Sequence, residues 1–313
     1  MPDRATRHLG LDLGATNVKW AVLGLDDAEW AVLDRGQLPT HAARGPEAVV
    51  ERLADVADAA RASWPDLGSV GVGVPGLYDA ATGAARFLPN LPGEWAGRPV
   101  AAPIGERTGL PAFLVNDARA FGLAELRLGA GRGVATLVGL TLGTGVGGVV
   151  ALDGRVHHGH DGTAGEVGHQ TIDPDGPPCT CGNRGCLEAH ACAARITALC
   201  GVATVEQAVE AARAGESRAL DGLARVGTDL GIGVANLVVV LTPDRVVIGG
   251  GVAAAGDLLL DHVRAEVQRR VHVTDLDRLE IVTAELGTWA GAIGAGIHGA
   301  ERAAALAPTG GAA

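Results

Sequence analysis

A chain of 313 residues, 47% hydrophobic and 19% charged, has the length for two domains, each with its own core, and the composition of a globular protein. Its net charge of -11 argues against a nucleic-acid surface, which calls for clustered basic side chains. Gly, Asp or Arg interrupts every apolar run before the ~18 residues of a membrane span, and residues 1–4 lack the start of a secretory signal; a cytoplasmic protein with no membrane partner is expected.

Residues 9–13 are an apolar run broken by Asp12, followed by runs at 18–23 and 30–38, and all three read as strands. Residues 46–64 carry Val49, Leu53, Val56 and Ala60 on one helical stripe. Short buried strands are expected at 70–74 and 113–115, and a helix from about Asp117. The pattern then restarts, with strands at 135–142 and 146–152 joined by Gly143, Thr144 and Gly145. Helices are expected at 187–199, 205–213 and 217–240, then a strand at 245–248, a helix near 256–270, a strand at 280–283 and a closing helix from Trp289. The Gly/Ala/Pro-rich tail after Ala303 is expected to fray. Two successive units, each opening with a hairpin around a Gly-Thr turn, imply a duplicated α/β architecture with a ligand cleft between its halves.

Three glycine-rich turns each follow a strand: Asp12 to Asn17, including Gly14 and Thr16; Gly143 to Gly145; and Gly249, Gly250 and Gly251. Glycine lets backbone N–H groups approach a phosphate closely, and neighbouring hydroxyls add donors. Asp12 beside such a turn has the chemistry to hold Mg²⁺, directly or through water. Two literal G-x-G-x-x-G matches, 71–76 and 143–148, fail as dinucleotide fingerprints, because Pro75 interrupts the first and a strand follows the second.

His169, Cys179, Cys181 and Cys186 supply one imidazole and three thiolates, a full tetrahedral zinc shell with no open position for water, hence a structural metal. His157, His158 and His160 lack ligand spacing, while Cys192 and Cys200 read as small buried residues of the 187–199 helix region. Glu166 and Glu188 flank the metal segment and are held relative to each other by it. Asn116 and Asp117 end a strand where a helix begins. Position alone reads Asp117 as the cap of that helix.

These residues together resemble the ROK family of bacterial sugar kinases, over residues 9 to about 300. The most specific part is 165–169 followed by 179–188, which closely resembles the family's signature and zinc motif. The resemblance implies an actin/hexokinase-like, duplicated ribonuclease-H-like two-domain fold with a central cleft. The expected division is 1–117 and 118–288, with the helix at about 289–303 returning to the first domain. It also implies that Asp117 is the catalytic base, that Asn90, Asn116, Asp117, Glu166, His169 and Glu188 bind the sugar, and that the three glycine turns bind ATP.

The activity so implied is ATP-dependent phosphorylation of a hexose at its primary hydroxyl, glucose first, with mannose, fructose, an N-acetylated amino sugar, allose or a cyclitol as alternatives. A non-catalytic sugar sensor is the other reading. With the first phosphate motif beginning at Asp12, a winged DNA-binding repressor of this family is not expected. Polyphosphate-using relatives generally lack the cysteine cluster, so ATP is the expected donor, and a homodimer or homotetramer is expected by analogy. Ala15, where a glycine is usual, and Arg119, where a small residue is usual, depart from the family pattern and bear on which sugar is taken.

Overall fold

The computed structural model describes residues 6–27 and 29–306; the leader reading at residues 1–4, and that part of the tail reading beyond Leu306, lie outside them. The chain divides into two compact units, the first ending at Leu128 and resuming at Thr288, the second spanning Gly129–Gly287.

The first unit contains β1 (Thr6–Leu13), β2 (Asn17–Asp26), β3 (Glu29–Pro39), α1 (Pro46–Ser63), β4 (Leu67–Val74), β5 (Leu77–Asp79), β6 (Ala84–Phe87), α2 (Ala101–Thr108), β7 (Ala112–Asn116) and α3 (Asp117–Leu128). Its main sheet runs β3-β2-β1-β4-β7, with β4 and β7 parallel to β1. Leu9, Leu11 and Leu13 alternate to one face, beside Val70, Val72 and Val74, and pack with Val49 and Leu53 of α1. α2 was not expected, because Pro103 and Gly105 suppress its helical signal.

The second unit contains β8 (Leu137–Leu142), β9 (Val146–Leu152), β10 (Arg155–Val156), α4 (Leu187–Ala191), α5 (Ala193–Cys200), α6 (Val205–Arg213), α7 (Ser217–Leu241), β11 (Arg245–Gly249), α8 (Asp257–Arg270) and β12 (Glu280–Thr283). Its sheet runs β10-β9-β8-β11-β12, again a hairpin followed by parallel strands. The helix expected over 187–199 is two helices, broken at Cys192, whose ψ of 163° is extended. α7 is long and apolar enough to cross a bilayer by length and composition, contrary to the sequence reading that no such run exists. Its residues Leu223, Val226, Leu230 and Val234 are buried in the unit's core, where they do the work of a core helix.

α9 (Ala290–Leu306) completes the first unit. The face of the sheet opposite α1 presents Gly10 and Gly71, and α9 lies directly on their backbone. A Cβ at Gly10 would stand 1.8 Å from the Ala292 carbonyl oxygen, and one at Gly71 only 1.7 Å from that of Ala295. Any side chain at either position would drive the helix off the sheet. Gly294 meets α3 equally closely, at the Ala120 carbonyl. α3 therefore packs with the first unit, and the division falls after Leu128 rather than at the expected residue 117. Two units of this topology make the duplicated α/β plan of the actin/hexokinase-like fold.

Candidate functional site

In the first unit, Asp12 is the last residue but one of β1 and Asn116 ends β7, with β4 between them. At the usual strand spacing they lie about 10 Å apart along the carboxyl edge of the sheet. The turn after Asp12 is closed by the Gly14 N–H donating to the Asn17 carbonyl at 3.0 Å. Buried Thr40, which the sequence did not flag, braces it: its hydroxyl donates to the Gly14 carbonyl at 2.6 Å and its N–H to the Thr16 carbonyl at 2.9 Å. Ala15 and Thr16 stand exposed at the tip.

Asp12 shares a register position with Lys19, and a Cβ on Gly291 of α9 would come within 2.7 Å of its carboxyl carbon. Burial raises its pKa from 3.8 to about 6, against the lowering pull of Lys19. A raised carboxyl pKa favours the protonated folded state, so the stability it contributes is complete below about pH 4 and is lost as pH rises through about 6. Ionised Asp12 then costs roughly 2 kcal/mol, a value discounted for the side chain's residual solvent contact. Asp12→Asn is expected to raise the melting temperature more at pH 8 than at pH 5. Equal gains at the two pH values would show that ionisation is not the burden.

Asn116 caps α3: its Oδ1 accepts from the N–H groups of Ala118 at 3.1 Å and Arg119 at 3.2 Å, while its Nδ2 donates to the Gly76 carbonyl at 3.2 Å. The cap that position assigned to Asp117 is thus made by its neighbour. Asp117 is the first helical residue, and one of its oxygens accepts from the Ala118 N–H at 2.8 Å. Asn90 is exposed in a loop pinned by buried Leu88 and Leu91. Arg119 is 2% exposed.

In the second unit, β8 and β11 are adjacent and parallel, so the turns Gly143–Gly145 and Gly249–Gly251 leave the same sheet edge side by side. Gly250 has φ 85°, and a Cβ there would strike the Leu142 carbonyl at 2.2 Å. A cavity of ≈ 400 Å³ opens beside these turns, lined by Gly143, Thr144 and Gly251 together with Ala194, Thr197 and Glu206. The last three come from α5 and α6, which the sequence reading had not connected with a site.

His169, Cys179, Cys181 and Cys186 converge, with one ligand atom of each within 4.8 Å of the others. The Cys179 sulfur lies 3.7 Å from His169 Nδ1, and the Cys181 and Cys186 sulfurs are 3.7 Å apart. A tetrahedron with the usual Zn–S bond has an edge of about 3.8 Å, so the donor set fits zinc. Burial and the neighbouring thiols push Cys186 up to about 12, a penalty on ionisation that a divalent cation among the sulfurs removes. Because Nδ1 faces the sulfurs, Nε2 of His169 remains for another partner.

Glu188, the second residue of α4, joins this cluster to the first of the two turns. Its Oε2 accepts from the Val146 N–H at 2.9 Å, and its Oε1 receives the Thr180 hydroxyl at 3.3 Å. A Cβ on Gly145 would stand 2.3 Å from Oε2, so the glycine there makes room for this carboxylate. Exposed Glu166 immediately precedes the short turn Val167–His169.

A model described as "ROK family" matches residues 8–299. The glucokinase of Thermotoga maritima is 36% identical over 92% of this chain and 95% of its own. The crystal structure of a ROK hexokinase from Thermus thermophilus superposes with a TM-score of 0.82 at 35% identity, covering 96% of this chain and 100% of that one. That of a ROK glucokinase from Streptomyces griseus, in complex with glucose and AMPPNP, superposes with a TM-score of 0.78 at 28% identity, covering 94% and 99%.

Proposed function

Because the chain belongs to the ROK family, we propose that it is an ATP-dependent kinase that phosphorylates glucose at its primary hydroxyl. The observation that carries this reading is the position of Asp117: Asn116 caps α3, and Asp117, as the first residue of that helix, places a carboxylate on the carboxyl edge of the sheet. Asp117 accepts the proton of the sugar hydroxyl as that oxygen attacks the γ-phosphorus and the bond to the β,γ-bridging oxygen breaks, releasing ADP.

Asn90, Asn116, Glu166, Glu188 and Nε2 of His169 are the proposed partners of the sugar hydroxyls. Glu188 is held by the Val146 N–H, which leaves its other oxygen lone pairs as acceptors. Gly14, Thr16 and Asn17 in the first unit, and Thr144, Gly145 and Gly249–Gly251 in the second, are the proposed partners of ATP. The cavity beside the latter turns has apolar walls from Ala193, Ala194 and Val252 and polar groups from Thr197 and Glu206, a mixture suited to a nucleoside. Mg²⁺ at Asp12, directly or through water, supplies neutralisation of charge on the phosphoryl oxygens. Zinc on His169, Cys179, Cys181 and Cys186 supplies structure alone, since four protein donors leave no open position. With ATP as its donor, the enzyme is assigned to the cytoplasm.

The test is ADP release, measured by a coupled assay, over glucose, mannose, fructose, allose, N-acetylglucosamine and N-acetylmannosamine. Glucose is expected to give the highest kcat/KM. A higher value for another sugar reassigns the substrate and leaves the chemistry standing, whereas no ADP formation with any of them sinks the kinase reading.

A further inference from the structure

α4 is five residues long, a single turn with no side-chain cap at its first end. A helix this short has no stability of its own and takes its orientation from what it packs on. Two of its residues grip α7. A Cβ on Gly233 would lie 2.7 Å from Leu187 Cδ2, so the leucine sits directly on the α7 backbone. One turn earlier on α7, Asp229 brings a carboxylate oxygen to 3.5 Å from His190 Nδ1. Both residues of that pair are 3% exposed, and Asp229 is itself held by the Arg225 guanidinium, whose Nε reaches its two oxygens at 3.1 and 3.0 Å. On the other side of the ring, a Cβ on Gly176 would stand 2.8 Å from Nε2. The imidazole is therefore wedged between α7 and the segment that carries the cysteines. Nε2 is buried without a hydrogen bond among the described residues and Nδ1 has only the 3.5 Å approach to the Asp229 carboxylate, an expensive arrangement for packing alone.

We propose that His190 is a positioning residue: with Asp229 it sets the rotation of α4 and the seat of the cysteine segment, and so aims the Glu188 carboxylate at the sugar. Leu187, Glu188 and His190 share one turn, so any roll of α4 that follows loss of the 190–229 contact carries the carboxylate away from the Val146 N–H. The inference rests on the reading of Glu188 as a sugar ligand. It assigns His190 no contact with either substrate.

The test compares His190→Leu, which keeps bulk and removes both nitrogens, with His190→Asn, whose amide N–H replaces Nδ1 toward Asp229. The Leu variant is expected to raise the KM for the sugar about 10-fold or more, with the KM for ATP and kcat each within about twofold of the parent protein. The Asn variant is expected to recover most of that loss. Hydrogen exchange over residues 173–192 is expected to accelerate in the Leu variant and to stay near the parent rate in the Asn variant. Equal falls in kcat for both variants, or an unchanged sugar KM in His190→Leu, overturns the proposal. If the parent protein phosphorylates no sugar, the functional reading has failed, and exchange alone decides the anchor: unchanged protection in His190→Leu refutes it. If His190→Leu does not fold, the Asn variant with Asp229→Asn decides, since an anchor predicts that the double variant is no worse in sugar KM than Asp229→Asn alone.

Discussion

Asp117→Asn is expected to lower kcat by about 10²- to 10⁴-fold, the usual worth of a general base, while the protein melts at nearly its original temperature. The substitution keeps the shape of the side chain and an oxygen that can go on accepting the Ala118 N–H. The α3 cap survives, because Asn116 makes it. What Asn lacks is a site to receive the hydroxyl proton in the transition state. Kinetics and thermal melts on the same preparation separate the two roles. A kcat within tenfold of the parent protein, or a melting temperature lowered as by loss of a cap, would return Asp117 to the structural role its position first suggested.

Cys181→Ala carries the second large effect, and the exposure of this thiol makes it informative. Exposed substitutions away from special features change stability by no more than about 0.5 kcal/mol, and Cys181 is exposed. With zinc on the cluster the same change removes one of four ligands, so stability and sugar binding fall together. The expected result is a melting temperature several degrees lower and a sugar KM raised about tenfold or more. A strong chelator is expected to reproduce both effects on the parent protein and to add little to the variant. Less than half an equivalent of zinc in freshly purified protein, or a Cys181→Ala protein with unchanged melting and KM, would contradict the assignment.

What could be read from the sequence was what neighbours along the chain decide. Apolar runs gave the strands, glycine turns after β1, β8 and β11 stood out, and the crowding of Cys179, Cys181 and Cys186 announced their convergence with His169. Contacts between distant residues were not readable. Thr40 braces the turn at Gly14 from 26 residues away, and nothing about a lone threonine signals that. Gly10 and Gly71 read as ordinary small residues in strands until α9 lies on them. Position assigned the α3 cap to Asp117, and only the hydrogen bonds show that Asn116 makes it. The break at Cys192 was invisible because Ala and Leu surround it. α7 was expected as a helix over 217–240, and although its length and composition would also fit a span, its burial within the second unit identifies it as core. His190 and Asp229 were passed over because a histidine and an aspartate 39 positions apart carry no spacing rule.

The close seat of α9 has a consequence for the order in which the chain acquires structure. Gly10 and Gly71 present bare backbone on one face of a sheet whose strands are synthesised before the second unit, yet the helix that covers them begins at Ala290. The whole of Gly129–Gly287, with its own sheet and core, leaves the ribosome in between. The second unit thus has all its residues available before the first has its cover, and strands β1 and β4 wait with an open face until α9 has been made.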